Sequence, residues 1–455
     1  MIYALLRAVA GLALRWYYSG IDVEGLERVP RDAPVLLVVN HPNALVDALV
    51  VGWTFPRRLV LTAKATLFAN PVFAWLLRIV GVVPLRRAKD EVVAGGTPDP
   101  RRNEGAFRAV HDALRRGRAA LIFPEGISHD EPYLAPLRTG AARIAIEGVR
   151  SGDVPGLVVV PVGLNFERKE RMRSRILVQI GEPISMTEWA PDDDDAAVDE
   201  LTAEIDARLR AVTLNFASAD DAARARALAS SLARLIDGTP EMGAPDSLRS
   251  EIVIARRVEE ARVALLNADD ATRERVDVLL TRLAAFERSL AREGVALDDV
   301  GISRELAPGA RFAAREGWRV LVGGPVAAWG KFNHWIPFHL ARAVAMRTVE
   351  TASDPAMRTI VATTALVLVF YLLQGAVVWH WIGPFGAALY LVSLPLAADI
   401  SFALRDRLWR VRQRARAYFT FRRDPALQRG LIEELRWLRT EALAVDEQLR
   451  RVAAR

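Results

Sequence analysis

His41 and Asp47 are the residues whose types and placement could carry a reaction. The run Asn40-His-Pro-Asn-Ala-Leu-Val-Asp47 follows directly on Val35-Leu-Leu-Val-Val39, an unbroken apolar strand signal. A histidine just beyond a strand's carboxyl end stands where α/β sheets expose their sites. A carboxylate on one ring nitrogen would fix the tautomer and stabilise the imidazolium formed when the other nitrogen takes a proton. Six positions do not align two residues on one helical face, so the pairing requires His41 in the turn before the helix, a break that Pro42 favours. The chemistry so described is proton abstraction from a hydroxyl. The chain contains no cysteine, which removes thiol nucleophiles, disulfides and thiolate metal sites. It has no Gly-x-Ser-x-Gly elbow and no His-Glu-x-x-His pair or histidine cluster, so neither a serine hydrolase nor a metal site is expected.

Further blocks follow in order: Lys64-Ala-Thr-Leu-Phe68 with Pro71, Gly81-Val-Val-Pro-Leu-Arg-Arg87, Phe123-Pro-Glu-Gly126 and Val160-Pro-Val-Gly163. Together with Asn40–Asp47 they resemble the glycerophospholipid acyltransferase superfamily across residues 20–185. The resemblance implies that His41 is the general base and Asp47 its orienting carboxylate. It also implies that Lys64 and Arg87 meet the acceptor's phosphate and that Glu125 and Gly126 belong to the acceptor-binding block. Two departures stand out. Five residues rather than the common four separate His41 from Asp47, and the usual arginine after Glu-Gly-Thr is replaced in Glu125-Gly-Ile-Ser-His-Asp130. With Pro136-Leu-Arg-Thr-Gly140 and Arg173-Ser-Arg175 before Gly181-Glu-Pro183, this pattern is similar to the fungal-type glycerol-3-phosphate/dihydroxyacetone-phosphate acyltransferases and their bacterial relatives. Arg138, Arg173 or Arg175 would then stand in for the missing arginine; a surface hairpin is the plainer reading of the last two. His129 is expected to form local hydrogen bonds.

The elements that must position these residues are legible as pattern. Apolar runs at Val35–Val39, Leu59–Leu61, Ala119–Phe123, Leu157–Val160 and Ile176–Val178 alternate with helical stretches. Unbroken apolar strands between helices predict an α/β domain over residues 20–190, with a mixed or parallel sheet buried on both faces. Residues 1–19 place Ile2, Leu5, Leu6, Val9, Leu12 and Trp16 on one face, predicting a helix on a membrane interface or on the protein's own core. Residues 191–318 have mixed charge at helical spacing and are expected to form a solvent-contacting arm. Residues 319–346, interrupted by Pro325 and Pro337, suggest an interfacial or re-entrant apolar segment. No charged residue occurs from Thr359 to Ala398, so a transmembrane helical hairpin over 359–404 is expected, turning near His380-Trp-Ile-Gly-Pro384 and followed by a basic helical tail over 405–455.

Arginines flank the uncharged run on both sides while its turn carries none, which puts both ends on the cytoplasmic face of a cell membrane. The net charge of +6 suits an anionic membrane surface or a phosphorylated substrate, and no nucleic-acid module is present. The resemblance thus implies a membrane-bound enzyme acting on a glycerol-phosphate acceptor and an acyl thioester, from coenzyme A or a carrier protein, without a cofactor. The alternatives are a lysophosphatidate or other lysophospholipid acyltransferase, and a membrane tether with a degenerate acyltransferase domain. The intact His41, Asp47 and Glu125 speak against the tether.

Overall fold

The computed structural model describes residues 2–69, 71–85, 103–189, 194–237, 248–347 and 354–453. Arg87 lies outside them. The chain divides into two compact units, Met1–Ser218 with Val344–Ala362, and Ala219–Ala343 with Thr363–Arg455.

In the first unit a mixed sheet runs in the order β1 (Gly20–Glu24), β7 (Arg175–Ile180), β6 (Val158–Phe166), β2 (Val35–Val39), β5 (Ala119–Ile122), β3 (Leu59–Lys64) and β4 (Val83–Leu85), with β8 (Ile184–Ser185) paired to β6. β6, β2, β5, β3 and β4 are mutually parallel, while β7 opposes β6 and carries β1 beside it. Every residue of β2 is buried. Because successive side chains point to opposite faces, Val35, Leu37 and Val39 enter one apolar cluster and Leu36 and Val38 the other. The first cluster is covered by α1 (Ile2–Tyr17) and α2 (Ala44–Thr54). The second is covered by α4 (Glu104–Arg115), α5 (Gly140–Arg150) and α6 (Asp194–Val212); α3 (Pro71–Val80) connects β3 to β4.

α1 is packed on its own unit through its second half, where Leu14, Trp16 and Tyr17 are buried, whereas Ile2 and Leu5 remain exposed. Gly11 permits this approach: a Cβ there would lie 2.2 Å from the Trp53 indole nitrogen. Arg7 adds a hydrogen bond to the Trp53 carbonyl at 2.9 Å.

The expected boundary at residue 190 is corrected. α6 belongs to the first unit, with Val198, Leu201, Ile205, Leu209 and Val212 closing one face of the sheet. Their three- to four-residue spacing is an amphipathic stripe, masked in the sequence by the charged residues between. The arm proper starts at α7 (Ala219–Asp237) and continues through α8 (Leu248–Leu266) and α9 (Asp270–Glu293), which share a core with α13 (Pro425–Ala453).

Across 319–346 the chain stays helical: α10 runs over Leu306–Arg347 with Pro325 and Pro337 inside it. A proline costs a helix one hydrogen bond and a clash with the preceding turn, roughly 3 kcal/mol. Contacts between the two prolines compensate: Tyr390 donates to Asn333 at 2.7 Å, and the His334 ring meets the Tyr371 hydroxyl at 2.7 Å. α11 (Asp354–Ile382) and α12 (Pro384–Arg423) are linked by Gly383 alone, whose φ of 88° is open to glycine at little cost. A Cβ on Gly375 would touch Leu391 at 3.1 Å, and the two residues are equidistant from Gly383, so the helices fold back on one another. Ala356–Ile382 and Pro384–Arg423 are long and apolar enough to cross a membrane. Residues 405–423 of the expected basic tail thus continue α12.

The placement of α6 is open to a direct check. Leu201→Ala or Leu209→Ala, each side chain fully buried, should lower unfolding stability by about 2–5 kcal/mol in the full chain. A change within about 0.5 kcal/mol, the usual range for surface positions, would return α6 to a solvated arm.

Candidate active site

The parallel strands end together at one edge of the sheet. Leu37 and Leu61 both pair with Leu121, so Asn40, Lys64 and Pro124 stand three residues further along at one level, and His41 and Glu125 follow. Asn40 ties this edge to β6 by a double hydrogen bond, donating to the Leu164 carbonyl at 3.2 Å and accepting from the Leu164 N–H at 2.7 Å.

His41 leaves the strand in the turn before α2. Its Nδ1 lies 2.9 Å from Asp47 Oδ2, with the histidine side chain 12% exposed and the aspartate side chain fully buried. The same Oδ2 accepts the Asn43 N–H at 2.7 Å. Burial pushes the Asp47 carboxyl above its ordinary range, and the hydrogen bonds from His41 and Asn43 oppose that shift. Ala44 takes a left-handed φ of 48°, uncommon for a residue with a Cβ, and its N–H is held by Ser128 Oγ at 2.9 Å. The His41 ring stacks on Phe123 at 3.8 Å between centroids.

Glu125 is buried and fully engaged. One oxygen accepts the His41 N–H at 2.7 Å; the other accepts the Ala135 N–H at 2.8 Å and meets His129 Nε2. Glu125 therefore joins the strand β5 edge to the histidine turn and to the loop after it, and its hydrogen bond raises the His129 pKa above the usual imidazole range. Gly126 has φ 71°, and a Cβ there would touch the Arg138 side chain at 3.4 Å. Arg138 is exposed beside it, its N–H donating to the Pro124 carbonyl at 2.7 Å. Lys64, half-buried, ends β3 at the same edge of the sheet.

The structure brings His41, Asp47, Glu125, Gly126 and Arg138 together. Arg173 and Arg175 are given other work. Arg173, itself left-handed at φ 65°, donates to the carbonyls of Arg15 and Tyr18 at the end of α1. Arg175 pairs with Glu167 at 3.2 Å across the β6–β7 turn.

Several supports of the site carry no signal in the sequence. Lys169 donates to the Pro42 carbonyl at 3.1 Å and pairs with Asp130, clamping the histidine turn to the His129 loop. In the sequence it sits inside the charged run Glu167-Arg-Lys-Glu-Arg171, where nothing distinguishes it from solvated surface. Tyr18 receives the buried Asn43 side-chain amide on its hydroxyl at 3.2 Å, linking α1 to the turn. Among the described residues no three ligand-type side chains converge as a metal site. What the arrangement can do is accept a proton at the free imidazole nitrogen and hold the resulting positive charge against a buried carboxylate.

A family model described as Acyltransferase matches residues 20–165. The chain is 36% identical over 108 residues to Glycerol-3-phosphate O-acyltransferase 2 of Saccharomyces cerevisiae, covering 22% of this chain and 14% of that protein. It is 30% identical over 158 residues to the chloroplastic 1-acyl-sn-glycerol-3-phosphate acyltransferase BAT2 of Brassica napus, covering 34% and 40%. The match to the chloroplastic 1-acyl-sn-glycerol-3-phosphate acyltransferase LPAT1 of Arabidopsis thaliana is 28% identical, covering 34% and 38%. The chain thus spans less than half the length of these relatives. The solved 1-acyl-sn-glycerophosphate acyltransferase PlsC of Thermotoga maritima matches with a TM-score of 0.35 and 20% identity, covering 46% of this chain and 78% of that one. The stretch that carries the His41–Asp47 pair, the Glu125 staple and the parallel half of the sheet is thus the part of the chain, residues 20–165, that matches the Acyltransferase family model.

Proposed function

We propose that this chain is a membrane-bound O-acyltransferase that esterifies a hydroxyl of glycerol-3-phosphate or dihydroxyacetone phosphate in phospholipid synthesis. The observation that carries the reading is the contact of His41 with a fully buried Asp47 at the carboxyl edge of the sheet. The acceptor hydroxyl gives its proton to the imidazole nitrogen that faces away from Asp47 as its oxygen attacks the thioester carbonyl. The tetrahedral adduct collapses, the carbon–sulfur bond breaks, and the thiolate leaves and takes up the proton. The donor is an acyl thioester of coenzyme A or a carrier protein, and no further cofactor is required. Lys64, Arg138 and Arg87 are proposed to receive the phosphate, a dianion suited to several convergent cations. Gly126 leaves room beside Arg138, while Glu125 holds the histidine turn. A second reading, acylation of lysophosphatidate, is favoured by the names of the two plant relatives.

We further propose that α11 and α12 cross the cell membrane as a hairpin, with the acyltransferase domain on the cytoplasmic face. Each span satisfies its backbone internally, and the flanking arginines resist translocation while the neutral turn does not.

The catalytic assignment is tested with His41→Ala and Asp47→Asn; asparagine is chosen because the Asp47 site is fully buried. Acyl transfer from labelled acyl-CoA to glycerol-3-phosphate, dihydroxyacetone phosphate and lysophosphatidate should fall by a factor of about 10² to 10⁴ with His41→Ala, at unchanged melting temperature. Asp47→Asn should also reduce the rate. Retention of most activity by either variant would refute the mechanism, and the preferred acceptor separates the two substrate readings.

For the phosphate, Lys64→Met and Arg138→Gln should raise KM for the acceptor well above any change in KM for the thioester. Equal rises for both substrates at normal folded yield would remove these residues from the acceptor site.

The hairpin predicts that cysteines placed singly at Trp381 and Arg451 differ in access to a membrane-impermeant thiol reagent on intact cells, a clean test because the chain has no native cysteine. The first should label and the second should not; labelling at Arg451 would mean an odd number of crossings.

A further inference from the structure

The second unit carries a concentration of positive charge that the proposed reaction does not use. Beyond its apolar half, α12 holds eight arginines between Arg405 and Arg423 against a single acid, Asp406. On α10, Arg311, Arg315 and Arg319 recur every four residues and so share one face.

Buried Glu316 draws the two helices' charges together. It accepts from Arg407 of α12 at 2.8 Å, from Arg319 at 3.0 Å and from Arg315 at 3.2 Å. The guanidinium groups of Arg315 and Arg414 both lie over the Phe312 ring, at 5.8 and 5.6 Å. Asp299 lies 3.8 Å from Arg414 and Asp406 lies 3.6 Å from Arg405. One carboxylate thus serves three arginines, and Arg315 and Arg319 keep 60% and 45% of their side-chain surface exposed. Like charges held this close call for an external anion.

We propose that this arginine cluster is a binding site for the phosphate headgroups of anionic membrane lipids. The proposal rests on the reading that the apolar helices lie in a membrane. Three observations select a lipid over other polyanions. The cluster continues without a helix break from the apolar stretch Pro384–Ala398. From Ala398 to Arg405 the helix advances about 10 Å, at 1.5 Å per residue, which places the first arginine in the headgroup layer. Trp318 and Trp409, 64% and 63% exposed, sit among the arginines, as tryptophans do at membrane interfaces. A guanidinium with spare donors then binds phosphate by charge-assisted hydrogen bonds while its alkyl stem lies along the apolar boundary.

The test uses the full chain in a neutral detergent. Titration with dihexanoyl phosphatidylglycerol should raise the melting temperature, and the phosphatidylcholine analogue should not. The shift should shrink as salt is raised from about 0.1 to about 1 M, where the screening length falls to about 3 Å. Arg315→Gln, Arg319→Gln, Arg405→Gln and Arg410→Gln combined should raise the lipid concentration for half the shift by about tenfold or more. The corresponding lysine variant, which keeps the charge, should recover part of it. Arg407 is retained so that Glu316 is not left unpaired. Equal shifts with both lipids would overturn the proposal, as would an equal shift with inorganic phosphate or an oligonucleotide, or an undiminished response in the glutamine variant. Membrane association itself is read separately from flotation of the full chain with phosphatidylcholine vesicles, so its failure and the loss of anionic preference are distinguishable.

Discussion

A carboxylate with no solvent exposure must be hydrogen-bonded to be tolerated, and the arrangement around Asp47 follows from that requirement. One of its oxygens takes both the His41 ring and the Asn43 N–H. The turn is consequently fixed at both ends, with Asn43 reaching Tyr18 at the end of α1 and Ala44 secured by Ser128. Between His41 and Asp47 the chain makes a left-handed turn at Ala44. Such a conformation costs of order 1–3 kcal/mol and persists where the surroundings overdetermine it. Here Glu125, Ser128 and Lys169 approach from other loops to do so.

Glu125 is tied into the protein on every side. Its two oxygens satisfy backbone N–H groups of His41 and Ala135 and the ring of His129, all within the protein. A buried carboxylate accepting from three donors is a structural joint: it sets the height of the histidine above the sheet edge. Lys64 and Arg138 stand at the rim of this edge, while Arg173 closes the end of α1 and Arg175 the β6–β7 edge.

The second unit follows another logic. α7, α8, α9 and α13 share an apolar core with the last turns of α12. α10, α11 and α12 instead keep large apolar side chains such as Phe332, Leu372 and Phe385 exposed while burying His334 and Asn333. These helices thus carry apolar side chains outward and pair their polar ones within.

Much of this was legible in the residues alone. Period-two burial written as unbroken Val, Leu and Ile runs specified a doubly covered sheet, because only a strand apolar on both faces has that composition. Uncharged length specified the hairpin helices, and the ordered motifs specified which histidine and aspartate to pair. Other features depended on groups far apart in the chain. Lys169 reaches Pro42 from 127 positions away, α6 joins the sheet through a stripe diluted by charge, and α10 runs through two prolines with help from Tyr371 and Tyr390. Local pattern reports the preference of a segment for water or for itself. Which carbonyl a lysine finds, which face a weak stripe covers and whether a proline stops a helix are settled by partners that only the fold brings within reach, since each such contact is worth little until the loop that delivers it has been closed.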